Sequence, residues 1–359
     1  MFNAEVLADS LSPQGHRITT MKITFPRMVL AEFNTHRMFS RNSASSRAIP
    51  FRRMVQMVEE NPFIPIAWQK DHKGMQGTEY LNSSESKGAI QAWVEASRSA
   101  VARARYLNEL GNVTKQLCNR LLEPFMWHTV LVTATEYDNF FELRCPKYEY
   151  WHYNDDGSQN CKIFKSKKDF INAHGSYAPF YNINGKKYNE MSEVDWIKYS
   201  TSGAEIHIQT LAEAMWDAYN ESTPKQLQAG EWHIPFGENM DLSNLPYIKD
   251  AAEAQLELLK IKIATARCAR ISYETLGDNP KIDYEADIRL HDMLLESGHM
   301  SPFEHCARAM HDWEYNSYAN GQADMFDDPD DGIAGFPDNM LGWCRNFKGF
   351  IQYRHMVEQ

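Results

Sequence analysis

At 359 residues, 43% hydrophobic and 24% charged, the chain is long enough to bury a substantial core as one large domain or two ordinary ones. Its formal net charge of -11 argues against tight binding to a nucleic-acid polymer, whose phosphates demand a basic face, though a small nucleotide needs only a local basic pocket. No apolar run approaches the roughly 18 residues of a membrane span, the N-terminus lacks a signal-peptide layout, and the cysteines at 118, 145, 161, 268, 306 and 344 form no C-x-x-C pair. The expectation is a cytoplasmic protein without a membrane partner, with reduced, mostly buried thiols.

Residues 18 to 33 read as a strand with rough alternation that leads into a loop. That loop, His36-Arg37-Met38-Phe39-Ser40-Arg41-Asn42-Ser43-Ala44-Ser45-Ser46-Arg47, packs guanidinium forks, hydroxyls and one amide into a stretch free of acids. Such an inventory suits an anion with planar, polar edges, and a nucleotide fits it. A solvated basic loop or a Ser-rich helix cap is the plainer alternative. Pro50 stands where a helix begins, followed by Phe51, Met54, Val55 and Met57 at near-helical spacing, so the loop lies between a strand and a helix N-terminus, a favourable place for anions.

Residues 89 to 122 carry a long helical pattern interrupted at Gly111 and closed by Pro124; Thr129 to Tyr137 is rich in β-branched residues and reads as a strand, followed by Asp138-Asn139-Phe140-Phe141-Glu142-Leu143-Arg144. From 146 to 200 the composition shifts to Tyr, Trp, Lys and Asn, with Asn154-Asp155-Asp156-Gly157 and Asn182-Ile183-Asn184-Gly185 as hairpin turns. This predicts a small β-rich insertion, either a surface or oligomer-stabilising module or a substrate lid. Helical periodicity returns at 203 to 220, 249 to 270 and 283 to 297, and an acidic, Gly/Pro-punctuated stretch from 316 to 340 reads as a long loop. The division is 1–145, 146–200 and 201–359, the first and last parts belonging to one catalytic domain. The predicted fold is α/β (α+β), a mixed or antiparallel central sheet flanked by long helices.

His299-Met300-Ser301-Pro302-Phe303-Glu304-His305 reads structurally as an N-cap serine, a proline at the first helical position and a capping-box glutamate. Its spacing matches no zinc pattern, and no metal site is expected.

The pattern His-Arg-x-x-Ser-x-Asn-x-x-Ser-x-Arg at 36–47 resembles the signature of flavin-dependent thymidylate synthases. Ala266-Arg267-Cys268-Ala269-Arg270-Ile271-Ser272-Tyr273 and the 299–305 segment resemble elements that precede the signature in that family and follow it here, so the chain looks circularly permuted. Asn139-Phe140-Phe141-Glu142-Leu143-Arg144 resembles the family's Asn-Phe-x-x-Leu-Arg element, and Ile208-Gln209-Thr210-Leu211-Ala212 its following helix. These blocks cover about half of the chain and leave the insertion and acidic stretch unaccounted for.

The resemblance implies reductive methylation of dUMP to dTMP, with FAD as cofactor and NADPH and methylenetetrahydrofolate as co-substrates, in a homotetramer with FAD at subunit junctions. It assigns His36, Arg37, Asn139, Ser272, His299, Ser301 and Glu304 to flavin, and Ser45, Arg47 and Arg120 to dUMP. Arg144 would hold negative charge on the pyrimidine N3/O edge. Ser45 has no base near it in sequence and is assigned to binding, and no Gly-rich dinucleotide fingerprint follows a strand, so NADPH would visit transiently. Thr35, Glu32 and Ser43 depart from the family's arginine, glutamine and glutamate; Gln352 and Arg354 are candidates to replace the missing substrate-binding groups. Two rivals remain: a flavin enzyme that installs hydroxymethyl or acts on dCMP, and a nucleotide-binding protein without catalysis.

Overall fold

The computed structural model describes the chain apart from residues 74–76, 78, 111–112, 155, 175–181, 184–185, 239, 244, 246–251, 274–282, 318–340 and 359. In chain order, its first part comprises β1 (Asn3–Leu11), β2 (Arg17–Pro26), the single turn α1 (Leu30–Phe33), β3 (Ser40–Ser43), α2 (Phe51–Glu60), α3 (Ser83–Glu109), α4 (Lys115–Arg120), β4 (Trp127–Ala134) and α5 (Asp138–Arg144). Next come β5 (Tyr148–Tyr153), β6 (Gln159–Phe164), α6 (Lys167–His174), β7 (Asn182–Ile183), β8 (Lys186–Lys187) and α7 (Glu193–Tyr199). The remainder is α8 (Ile206–Glu221), β9 (Lys225–Gln226), β10 (Trp232–His233), α9 (Glu253–Arg270), α10 (Tyr284–Glu296), β11 (Ala307–Ala309), α11 (Asp312–Ser317), β12 (Trp343–Cys344), β13 (Phe347–Lys348), β14 (Phe350–Gln352) and α12 (Tyr353–Val357).

The central sheet has the order β3-β4-β2-β1-β9; β9 runs parallel to β1 and the other pairs are antiparallel, so the fold is mixed α/β with a mixed five-stranded sheet. Alternation decides its two faces. Met21, Ile23 and Phe25 of β2 share one face with Val130, Val132 and Ala134 of β4, and pack under Phe140 and Phe141 of α5 and Ile208, Leu211 and Met215 of α8. The other face carries Thr20, Thr133, Leu131, Ser40 and Asn42, in register across β2, β4 and β3. Against it lie α9 and the turn after it, through Cys268 and Ile271, and the second sheet, β10-β11-β14, through Ala307, Ala309 and Phe350. A fully buried side chain of this size contributes roughly 1.5–3 kcal/mol, so the apolar face supplies much of the fold's cohesion.

Several boundaries depart from the sequence reading. β1 was not anticipated, because Asn3–Leu11 interleaves charge with small residues and is half-exposed along most of its length. The strand expected over 18–33 ends at Pro26 and gives way to a 3-10 turn and α1. Pro50 is the residue before α2 rather than its first helical residue. The helix expected over 89–122 begins at Ser83, where Asn82 and Glu85 form a reciprocal capping box, and it stops at Glu109 before α4; Gly111 lies outside the described residues. Residues 301–304 form a 3-10 turn preceded by Met300, with no side-chain cap, so Ser301 is not an N-cap and Glu304 not a capping-box partner. Asp155, the 184–185 turn positions and residues 318–340 of the acidic stretch lie outside the described residues.

The β5–β6 hairpin closes at Gly157, whose φ of +82° favours glycine. It shares a separate small core with α6 and α7, made of Tyr148, Phe164, Phe170, Tyr188 and Trp196. This core is tied to α8 through Glu213, which accepts from the Lys167 backbone N–H at 2.6 Å and pairs with Lys167 Nζ at 3.2 Å. All six cysteines are free thiols, buried except for the half-buried Cys161. No helix among the described residues is long and apolar enough to cross a membrane.

Candidate functional site

β3 and the loop after it form the spine of the site. Ala44 N–H bonds Thr129 O, which ends the pairing with β4, and the chain then turns so that Ser45 N–H bonds Ser272 O at 3.0 Å. The Ser45 carbonyl accepts from Ala48 and Ile49, and Pro50 launches α2. Buried Asn119 on α4 clamps this turn by donating to Ser46 O at 2.7 Å and Ile49 O at 3.1 Å, while Lys115 Nζ donates to Ala48 O at 3.2 Å. Asn42 fastens β3 to the end of α9 through its amide and Cys268 O, 3.1 Å apart across 226 residues of sequence.

These ties open a cleft of about 480 Å³, lined by Asn42, Ser45, Arg47, Ala48, Lys115, Gln116, Ala269, Ser272, Leu294, His299, Ser301 and Pro302. Five residues singled out from the sequence meet there: Ser45, Arg47, Ser272, His299 and Ser301. Asn42, Lys115 and Gln116 complete its polar lining without having been assigned a role. No carboxylate lines it, two cations do, and the remaining polar groups are hydroxyls, amides and an imidazole. That donor set holds an anion with polar edges.

The other end of β3 carries a second group. His36 is buried, 8% exposed, stacked on Phe39 and edge-on to Phe140. Arg144 Nε donates to His36 Nε2 at 3.1 Å, and Arg144 Nη2 to Thr35 Oγ1 at 3.4 Å. An imidazole nitrogen that accepts from a guanidinium carries no proton, so His36 is neutral with its proton on Nδ1. Burial, reinforced by the charges of Arg144 and Arg41, lowers its pKa to about 4. Thr35, standing where the resemblance leads one to expect arginine, gives Arg144 a hydroxyl neighbour instead of a like charge.

Behind β3, Gln352 is buried, and its amide nitrogen lies 3.2 Å from Ser40 Oγ, 3.2 Å from Asn346 Oδ1 and 3.4 Å from Glu304 O. Asn346 donates to the same serine and to Met38 O. Glu304 accepts from Arg354 Nη1 at 2.6 Å, and Glu358 accepts from Arg354 Nε at 2.8 Å. Half-buried Arg41 has an Nη1 atom without a protein partner; burial lowers its pKa and Glu304 opposes the shift. Gln352, Arg354 and Glu304 thus brace β3 from behind, and Arg41 is a donor the sequence reading passed over.

Besides the His36–Arg144 group and the residues behind β3, three more assigned residues are absent from the cleft lining. Arg120 is exposed and pairs with Glu123 at 3.9 Å. Asn139 is exposed on the first turn of α5, and Arg37 is exposed beside the His36 group. Among the described residues, no group of three or more His, Cys, Asp or Glu is placed to hold a metal ion.

No protein-family model matches the chain, and no curated protein does. Among solved structures, the chain is similar to a UMP/dUMP methylase, PolB from Streptomyces cacaoi, bound with 5-Br dUMP, at 12% identity and a TM-score of 0.38 over 62% of this chain and 91% of that one. It is similar to the same protein bound with 5-Br UMP, at 13% identity and a TM-score of 0.38 over 62% of this chain and 89% of that one.

Proposed function

We propose that the chain is a flavin-dependent pyrimidine nucleotide methylase that converts dUMP to dTMP, with methylenetetrahydrofolate as carbon donor and NADPH as reductant. The observation that carries this reading is the meeting of Ser45 and Arg47 with Ser272, His299 and Ser301 in one cleft without a carboxylate. The volume, about 480 Å³, lies within the range of small-molecule sites.

Arg47 and Lys115 neutralise the nucleotide phosphate, and Ser45 adds a hydroxyl donor beside them. The donors of Ser272, His299 and Ser301 suit the polar edge and pyrophosphate of FAD, which would supply the two electrons no side chain can. Arg144, whose Nε donates to neutral His36 at the other end of β3 and outside this cleft, takes from the resemblance the role of facing the negative charge that develops on the pyrimidine N3/O edge. Its orientation is set before reaction, which is the condition for electrostatic stabilisation to count in full. Arg47 and Lys115 are both exposed, and the reading includes a homotetramer in which a neighbouring copy covers each cleft.

The test is mass-spectrometric product analysis of the purified protein with dUMP, methylenetetrahydrofolate, FAD and NADPH, each omitted in turn and dCMP substituted for dUMP. Formation of dTMP that needs both folate and flavin is the expected result. A hydroxymethyl product, turnover of dCMP alone, or no product would overturn it.

A further inference from the structure

A line of buried side chains crosses the polar face of the central sheet. Ser10 Oγ lies 2.9 Å from His233 Nδ1, His233 Nε2 lies 2.8 Å from Thr20 Oγ1, Thr20 Oγ1 lies 2.7 Å from Thr133 Oγ1, and Thr133 Oγ1 lies 2.8 Å from His305 Nδ1. All five residues are at most 5% exposed. Ser10 borders a cavity of about 410 Å³ on the side of the sheet's far edge, among Asp9, Glu231, Glu257 and Lys260. At the opposite end, His305 Nε2 is buried without a protein partner. His305 follows Ser301 and Pro302, which line the cleft, by four and three residues.

We propose that Ser10, His233, Thr20, Thr133 and His305 form a proton relay between this cavity and the buried Nε2 of His305. The inference rests on the geometry alone and holds whatever the cleft binds.

Each hydroxyl offers one proton, and each neutral imidazole donates from one nitrogen and accepts at the other. Only two arrangements put one proton in every link and leave neither threonine hydroxyl without an acceptor in the line. In the first, Ser10 donates to His233 Nδ1, His233 Nε2–H to Thr20, Thr20 to Thr133, and Thr133 to His305 Nδ1, leaving the proton of His305 on Nε2. In the second, every link is reversed and both rings carry their proton on Nδ1. If the rings adopted opposite tautomers, either two lone pairs would face each other between the threonines or one buried hydroxyl would lose its acceptor. The rings therefore change together.

A proton arriving at Ser10 from water in the cavity converts the first arrangement into the second: five O–H or N–H bonds form along the line, five break, and one proton leaves His305 Nε2 for a water or ligand base presented there. Burial keeps both rings neutral before and after, lowering the pKa of His233 to about 4 and that of His305 to about 3, where the charge of His233 adds to the effect. A chain of neutral groups in a low-dielectric setting is polarised cooperatively, which favours concerted movement.

The test is nitrogen-15 NMR of the full-length protein with labelled histidine at neutral pH. His233 and His305 are expected to be neutral and to share one tautomer; opposite tautomers in the unaltered protein overturn the proposal. Hydrogen–deuterium exchange of the His305 ring proton supplies the second readout. Thr20→Val cuts the line but leaves the Thr133–His305 bond, and exchange is expected to slow by roughly tenfold with this polar link cut. Thr20→Ser is expected to restore it. Exchange that is unchanged in Thr20→Val reduces the line to a structural network and refutes the relay.

Discussion

Acid is expected to unfold this protein early, and His305 is the place to show why. His128, His233 and His305 are each about 1% exposed or less, and burial lowers their pKa values to about 3, about 4 and about 3. The folded state therefore takes up protons less readily than the unfolded chain, whose histidines titrate near 6.5. Between about pH 6.5 and pH 4 the unfolded state binds more protons, so stability is full above the unfolded value and falls as pH falls towards the folded one. Going from about pH 7.5 to about pH 5, linkage gives a loss of about 2 kcal/mol per histidine, or about 6 kcal/mol for the three. Against a typical total of about 5–15 kcal/mol that loss is large. His305→Asn keeps a hydrogen-bonding group for Thr133 and does not titrate. Urea unfolding at both pH values, followed by circular dichroism, should show the variant losing about 2 kcal/mol less than the unaltered chain, which at a slope near 3 kcal/mol/M moves the difference in midpoints by about 0.7 M. Equal acid-induced losses in the two proteins would refute the reasoning, whatever the variant's stability at neutral pH.

Four further outcomes follow from the site and the cores. Arg47→Ala and Lys115→Ala should each weaken dUMP binding about tenfold or more by calorimetry, since a charge-assisted hydrogen bond contributes about 1.5–3 kcal/mol, while Arg120→Ala leaves it unchanged. Arg144→Lys should cut product formation by about 100-fold with the thermal midpoint unmoved, because a point charge cannot bond His36 and face a substrate as a fork does. Asn119→Ala removes the clamp on Ser46 and Ile49, leaves two carbonyls short of a donor and should cost about 2 kcal/mol in urea unfolding. Phe170→Ala empties the centre of the β5–β6 module and should cost about 3–5 kcal/mol, measured by loss of tryptophan fluorescence order around Trp196.

Where burial followed a simple period, the sequence was legible. β2 was found through its rough alternation and β4 through its β-branched residues, and α8 and α10 begin and end within three residues of their hydrophobic patterns. β1 escaped because its pairing partner, not its own apolar content, makes it a strand. At the cleft, Ser45 and Arg47 were found as members of a dense local pattern, and Ser272, His299 and Ser301 through resemblance. Lys115 carried no such mark: it faces the cleft because α4 starts afresh at Thr114, whereas a helix continuous from α3 would have turned Arg120 and Lys115 through other angles. The buried line of Ser10, Thr20, Thr133, His233 and His305 had no signature at all, since its members come from β1, β2, β4, β10 and the turn before β11, which meet through register within the central sheet and through the packing of the second sheet against it.

The brace behind β3 sets a schedule for the chain's own birth. Ser40 receives its hydrogen bond from Gln352, 312 residues further on. At a synthesis rate of about 5–20 residues per second, roughly 15–60 s separate the emergence of the two. Within that interval β3 can pair with β4 once that strand emerges and can tie to the end of α9, but it lacks the Gln352 contact, and Arg354 has not yet arrived for Glu304. A nascent chain that has not reached Gln352 is therefore a scaffold whose β3 lacks this brace, and the backing is completed in one late step instead of growing with length.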